Sequence, residues 1–179
     1  MSLLFNVSQL LKSEIGQSRT YDFEGDEPLD LGDATASDIR GHVKFVLTNF
    51  GIVTGIHAEA TLHLTCARCL EPFDTPASAD FEEEYVPSID IQTGLPSTTP
   101  RSDTAMPISA NHVIDLSDAI RQQLVLAVDL IPVCKQDCRG LCPTCGVNLN
   151  IETCLCPPVE AASPFAALRG LLQEAETDR

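Results

Sequence analysis

The chain has few basic residues, and their scarcity limits the partners that it can bind. Its 179 residues include 11 lysines and arginines against 26 aspartates and glutamates, which gives a formal net charge of -15. Proteins that hold a phosphate backbone need clustered lysine and arginine side chains. The composition therefore argues against a broad nucleic-acid-binding face.

The sequence also lacks the patterns of a membrane protein or of a common class of enzyme. No apolar run is long enough to cross a bilayer, and the short apolar groups at the N-terminus are unlike an export signal. Glycine-rich phosphate loops are absent, and His42, His57, His63 and His112 lie apart from any nucleophile motif. We therefore expect a cytoplasmic, non-enzymatic protein without a small-molecule substrate.

Eight cysteines fall into two groups whose spacing is typical of metal sites. Short cysteine pairs separated by long intervals supply tetrahedral thiolate ligands, and a reducing cytosol keeps such thiols free of disulfides. Eight thiols are enough for two four-cysteine sites, with zinc as the predicted metal. The predicted metal ligands are Cys66, Cys69, Cys134, Cys138, Cys142, Cys145, Cys154 and Cys156.

The local sequence predicts how the two sites divide these thiols. Between Cys142 and Cys145 a proline stiffens the turn, and the glycine that follows permits a positive φ, so that backbone N–H groups face the sulfur atoms. Cys154 and Cys156 share one face of an extended chain and complete this site. The other four cysteines then form a second site that joins distant parts of the chain. Neither site leaves a position for a substrate.

Several alternatives remain open for the cysteines and their neighbours. The thiols could form disulfides, Cys66 and Cys69 could be a redox pair, and iron could replace zinc. Arg68, Lys135 and Arg139 lie within or beside the cysteine groups. They either compensate the charge of the metal thiolates or form a small positive tip that touches RNA.

Hydrophobic periodicity predicts an α+β fold. Helical spacing over residues 3–11 predicts a short N-terminal helix that ends near Gly16. Two-residue alternation over 42–65 predicts an antiparallel hairpin that turns near 49–51 and runs directly into Cys66.

Further strands are predicted on both sides of this hairpin. Residues 22–38 are read as strand fragments and loops because turn residues interrupt them. Residues 73–86 form another predicted strand, with Phe81 and Tyr85 on one face and the solvated run Glu82–Glu84 on the other.

The remaining segments are assigned to a loop and two helices. Residues 87–111 lack apolar periodicity and are predicted to be a long flexible loop. A helix near 116–128 is predicted to be capped by Asp115 or Ser117. A C-terminal helix is predicted to begin at Ser163 and to pack its apolar stripe on the core.

These elements combine into one predicted domain. Residues 1–132 form an antiparallel β-sheet, or a half-open barrel, with flanking helices. Residues 133–179 form a C-terminal cysteine-rich zinc knuckle and a helix that pack on the same domain.

Several segments of the chain resemble the bacterial YceD family. CARCLEPF lies within Leu64–Phe73, and GLCPTCGVNLN lies within Cys138–Asn150. Shorter similarities are Pro164–Leu168, Asn6–Leu11 and Gly16–Arg19. The combination of the two cysteine motifs is specific, and the resemblance covers most of the chain.

The resemblance implies a non-enzymatic role in biogenesis of the large ribosomal subunit, through accumulation and processing of its 23S ribosomal RNA. Because some family members lack the cysteines, metal is implied to be a staple or a recognition knuckle. The implied partner is a precursor of the large subunit, contacted through rRNA or through a basic ribosomal protein that binds the acidic surface. The negative net charge of the chain favours a basic ribosomal protein over rRNA as the direct partner. An alternative is a zinc-stapled adaptor unconnected with ribosomes.

Overall fold

The computed structural model describes residues 3–25, 27–97 and 105–157, and β-structure dominates it. The sheet-based part of the predicted fold is confirmed, while the half-open barrel remains a prediction. The predicted C-terminal helix lies outside the described residues. In chain order the elements are β1 (Leu4–Asn6), α1 (Ser8–Leu11), β2 (Ser18–Glu24), β3 (Leu29–Asp30), β4 (Thr35–Leu47), β5 (Ile52–Thr65), β6 (Pro72–Pro87), β7 (Met106–Ile108), β8 (Val113–Asp115) and α2 (Ser117–Ala127).

Most strands belong to one six-stranded sheet built around a long hairpin. Its order is β2-β4-β5-β6-β7, and β3 also pairs with β4. All pairs are antiparallel except β6 with β7. The predicted hairpin is β4 and β5, in which Val43 pairs with Ile56 and Leu47 with Ile52. β5 ends at Thr65, so Cys66 is the first residue after this strand and its position is fixed by the sheet.

One face of the sheet is buried and the other is wet, as the alternation predicts. Val43, Phe45 and Leu62 are almost fully buried, in one cluster with residues of β1, α1, β8 and α2. Each such side chain stabilises the fold by about 1.5–3 kcal/mol when it leaves water. Thr54 is the buried polar residue of this face, and its hydroxyl donates to the carbonyl of Glu83 over 3.0 Å. This core fixes the direction in which β5 ends.

Helix α2 confirms the predicted helix near 116–128. The predicted cap is wrong, because the N-cap residue is Leu116 and no side chain makes a capping hydrogen bond. The carboxylate of Asp115 instead accepts the N–H of Ser117 at 2.9 Å, and Asp118 lies in the first turn, where a negative charge is favourable. Ile120 and Leu124 are fully buried.

Among the described residues no helix is long and apolar enough to cross a membrane.

The predicted N-terminal helix is wrong in its extent. Leu4–Asn6 form strand β1, which pairs with β8, and only Ser8–Leu11 are helical. The side chain of Asn6 accepts the N–H of Ser8 at 3.0 Å, so the helix starts late. An isolated helix of this length is marginal, so pairing with another strand decides the conformation. The spacing of apolar residues identified which side chains are buried but not the backbone conformation of the segment.

The predicted loop over 87–111 contains a strand. β7 pairs in parallel with the end of β6, and Ile108 is fully buried. A three-residue strand is too short for its alternation to be recognised in a sequence. The chain between Asp90 and Gly94 also folds into a turn in which the Asp90 carboxylate accepts the N–H groups of Gln92 and Thr93.

The acidic run Glu82–Glu84 does not share one face, contrary to the prediction. In β6, Phe81 pairs with Ile56 and Glu83 pairs with Thr54, both on the buried face of β5. Successive residues of a strand point to opposite sides, so Glu82 and Glu84 lie on the wet face without Glu83.

Candidate metal centres

The eight thiols gather into two groups of four. The first centre comprises Cys66, Cys69, Cys134 and Cys138, and the second centre comprises Cys142, Cys145, Cys154 and Cys156. Within each group all four sulfur atoms lie within 4.8 Å of one another. This grouping is the one that the spacing of the cysteines suggests. That the groups hold metal remains a prediction.

The sulfur positions of the first centre fit a tetrahedral ion. Cys66 Sγ lies 3.9 Å from Cys138 Sγ, and Cys69 Sγ lies 3.7 Å from Cys134 Sγ. A zinc ion bound to four thiolates at about 2.3 Å separates its sulfur atoms by about 3.8 Å. A disulfide requires about 2.05 Å between sulfur atoms, and all eight thiols are free. The geometry therefore favours a metal site over a disulfide framework.

The two C-x-x-C turns share one backbone conformation. The N–H of Leu70 donates to the carbonyl of Cys66 at 2.9 Å, and the N–H of Gly146 donates to that of Cys142 at the same distance. Both donors have positive φ, 61° at Leu70 and 74° at Gly146. Glycine adopts this conformation freely, whereas leucine does so at a cost. The glycine of the CPxCG sequence predicted the positive φ of the second turn, whereas no residue type signalled the positive φ of Leu70 in the first.

The first centre joins two parts of the chain that are far apart in sequence. Cys66 and Cys69 follow the end of β5, and Cys134 and Cys138 belong to the segment after α2. The N–H of Ala67 also donates to the carbonyl of Pro132 at 2.8 Å. Here Cys66 is fully buried and Cys138 is 5% exposed. A bound ion would thus staple the sheet to this segment.

The second centre is more open to solvent than the first. Of its thiols, Cys142 is buried, Cys145 is exposed, and Cys154 and Cys156 are half-buried. Leu155, between the last two ligands, is fully exposed. An ion in the second centre would exchange with solution more readily than one in the first.

The electrostatics of each group favour a cation. Backbone N–H groups lower the pKa of Cys66 and of Cys142 to about 6, so that one thiolate forms easily in each group. Desolvation raises the pKa of Cys134 to about 12, and the side chain of Cys145 raises that of Cys156 to about 12. Adjacent thiolates repel one another, and a divalent cation removes this repulsion.

One of the three basic residues near the cysteines is engaged at the first centre. The Arg68 guanidinium donates to the carbonyl of Cys138 at 3.1 Å, and its backbone N–H faces the Cys66 sulfur at 3.4 Å. These contacts favour charge compensation as the role of Arg68. Lys135 and Arg139 have exposed side chains.

Polar rows cross the wet face of the sheet, and sequence reasoning missed them. His63 Nε2 lies 2.8 Å from the Ser37 hydroxyl, and its Nδ1 lies 2.6 Å from the Asp74 carboxylate. This order of groups can activate a serine. However, the His63 and Asp74 side chains are 41% and 67% exposed, so water competes for both contacts. We interpret the row as a cross-strand polar contact.

Comparison with known proteins supplies the family. Residues 54–172 match the family model described as "Large ribosomal RNA subunit accumulation protein YceD". The chain is 44% identical over 60 residues to "Large ribosomal RNA subunit accumulation protein YCED homolog 1, chloroplastic" of Zea mays, which covers 32% of this chain and 20% of that protein. It is 35% identical over 66 residues to the Arabidopsis thaliana protein of the same name, covering 35% and 21%.

A bacterial relative matches over a longer stretch. An uncharacterised protein of Mycobacterium tuberculosis is 33% identical over 101 residues, which covers 56% of this chain and 46% of that protein. The chain thus spans less than half the length of these curated relatives. No solved structure matches it. The family match includes both C-x-x-C turns and well over half of the residues, and the chain therefore belongs to the YceD family of large ribosomal RNA subunit accumulation proteins.

Proposed function

We propose that this protein is a non-enzymatic factor in biogenesis of the large ribosomal subunit, supporting accumulation of its ribosomal RNA. The observation that carries the proposal is the match of residues 54–172 to the YceD family. The two candidate centres agree with a role without catalysis, because four protein thiolates leave a zinc ion no open position for a substrate or an activated water.

In this proposal both centres hold zinc, with Cys66, Cys69, Cys134 and Cys138 as ligands of one ion. The other ion is held by the four thiols of the second centre. Zinc then acts as a structural ion that attaches residues 133–179 to the sheet built by residues 1–132, so that the two parts form one domain.

The proposed partner is a basic ribosomal protein within a precursor of the large subunit. The wet face of β6 carries Asp74, Asp80, Glu82 and Glu84, because these residues alternate along the strand. The chain as a whole has a net charge of -15. Such a surface attracts a cationic chain and repels naked RNA. It would keep the basic protein from premature contact with RNA.

A direct contact with ribosomal RNA is the competing route. It would use the exposed Lys135 and Arg139, while Arg68 contacts the first centre. Two or three cations are few for a phosphate-binding surface. A cytoplasmic location suits either route, although the plant relatives are named as chloroplastic.

Co-sedimentation and pull-down experiments test this proposal. The full chain should co-sediment with precursors of the large subunit, and its capture of basic ribosomal proteins from nuclease-treated lysate should weaken steeply with salt. The substitutions E82K and E84K together should reduce this capture by about tenfold, because they reverse two charges of the binding surface. The matched control E14K with E27K makes the same charge change at two exposed sites away from β6 and should change it little.

Two outcomes would overturn parts of this proposal. Absence from precursor particles would refute the ribosomal role and favour an adaptor with another function. Loss of binding in K135A with R139A, but not in E82K with E84K, would refute the acidic surface and assign the contact to RNA.

A further inference from the structure

Two asparagines connect the second centre to the first. Asn148 and Asn150 lie in the loop between the cysteine pairs of the second centre, in the sequence that follows Cys145. The side-chain Nδ2 of Asn150 donates to the sulfur of Cys138, a thiol of the first centre, over 3.4 Å. The loop that the second centre closes therefore contacts a sulfur of the first.

The Asn150 amide is held in this orientation by its other hydrogen bonds. Its Oδ1 accepts the backbone N–H of Arg139 at 2.9 Å, which places the oxygen on that side and the NH₂ group towards the sulfur. The same NH₂ group donates to Asn148 Oδ1 at 2.9 Å, and Asn148 in turn donates to the Glu71 carboxylate at 3.4 Å. The two asparagines thus reach both Cys138 of the first centre and Glu71, which lies two residues after Cys69.

The backbone reinforces this contact and brings Gly140 close to Arg68. The N–H of Leu141 donates to the carbonyl of Arg68 at 3.1 Å, and that of Leu149 donates to Gly140 at 2.9 Å. Gly140 has a φ of 72°, and a Cβ added there would lie 3.0 Å from the Arg68 carbonyl oxygen. Glycine is favoured both by the positive φ and by the close approach of the two segments. The loop of the second centre is therefore docked on the turn of the first.

We propose that the two centres bind their ions cooperatively and that Asn150 is the positioning residue that connects them. An ion in the second centre fixes both ends of the loop, through Cys145 and Cys154, and so holds the Asn150 amide against Cys138. Hydrogen bonds from outside the ligand set orient a ligand and stabilise its charged form. The inference rests on the proposed metal binding.

Linkage gives this coupling a second, reciprocal consequence. If an ion in the second centre raises the affinity of the first by some factor, an ion in the first must raise the affinity of the second by the same factor. An ion in the buried first centre therefore raises the affinity of the more exposed second centre for its own ion. Loss of the ion from the second centre would in turn lower the affinity of the first centre, although the first centre keeps all four thiols.

Titration of the reduced full chain with cobalt(II) tests the coupling, because cobalt bound to thiolates absorbs visible light. Competition with a chelator gives the affinity of each centre. Removing the second centre with C142S and C145S should weaken the first by about 10- to 100-fold, the usual effect of losing an outer hydrogen bond to a ligand. N150L should produce a similar loss while it retains all eight thiols. The control N49L replaces an exposed asparagine of the β4–β5 turn and should leave both affinities unchanged.

Combining the variants shows whether Asn150 carries the coupling. When N150L is added to C142S and C145S, it should cause little further loss, because the two changes remove the same contact. Full additivity, or an N150L chain that behaves like N49L, would overturn Asn150 as the connecting residue, and a first centre that C142S with C145S leaves unchanged would overturn the coupling itself. A wild-type chain that binds no cobalt would overturn both the coupling and the metal binding beneath it. Far-UV circular dichroism of each variant confirms that the sheet is folded.

Discussion

The first centre should couple one metal ion to the unfolding of the sheet. Its thiols Cys69 and Cys134 are 65 residues apart in the sequence, so they meet only when the intervening strands and α2 are folded. The second centre joins Cys145 to Cys154 across about nine residues, and it can close while the sheet is unfolded. Closing loops of these lengths costs about 4.3 and 2.6 kcal/mol of chain entropy, respectively.

This difference sets the zinc dependence of stability. An ion that binds only the folded state adds about 1.4 kcal/mol to the free energy of unfolding for each tenfold rise in free zinc above its Kd. One such ion gives that slope, two would give about 2.8 kcal/mol, and none would give zero. The structure predicts the slope for one ion.

Urea unfolding at buffered free zinc concentrations measures the slope, with circular dichroism as the probe of the sheet. C66S with C69S should abolish the zinc dependence. C154S with C156S should preserve the slope while moving its onset to higher zinc, because the first centre is then weaker. A wild-type slope near 2.8 kcal/mol would show that both centres unfold with the sheet. A slope near zero would refute the proposal that an ion in the first centre stabilises the folded sheet.

Three further predictions follow from other parts of the structure. Elemental analysis of the reduced protein should find about two zinc ions per chain, and iron instead would reopen electron transfer. The Asp80 carboxylate raises the pKa of His57 above its ordinary 6.5, so its contribution to stability is present below pH 6.5 and is lost as the pH rises through the raised value; D80N should return this pKa towards 6.5 in an NMR titration. G41A should destabilise the sheet by about 1–3 kcal/mol in urea, because its Cβ would meet the His57 carbonyl, whereas G55A on the next strand meets nothing within 4 Å and should cost little.

The sequence predicted those features that depend on local pattern. The β4–β5 hairpin has long strands with regular alternation, and α2 has both an acidic first turn and an apolar face, so each was recognisable by itself. The grouping of the thiols was also predictable, since CPxCG identifies one turn and the remaining cysteines are few. That these thiols bind zinc is a separate matter that elemental analysis decides.

Contacts between distant segments were beyond sequence reasoning. Leu4–Asn6 is a strand only because β8 lies beside it, and Ile108 is buried only because β7 meets the end of β6. Leu70 takes the backbone conformation that Gly146 takes in the other turn, although its side chain disfavours it. In each case tertiary packing overrides the local preference, and nothing in the neighbouring residues signals it.

The outer edge of β6 bears on how the protein behaves at high concentration. From Pro72 to Glu84 this strand pairs with β5 on one side, and within the described ranges no strand pairs with its other side. A long free edge of this kind can recruit a strand from another molecule and start aggregation. Pro72 and Pro76 lack the N–H groups that such pairing needs, and Asp80 and Glu82 add charges that repel a second copy. The edge therefore discourages self-association, while its exposed Glu82 still presents a negative charge to a chain of opposite charge.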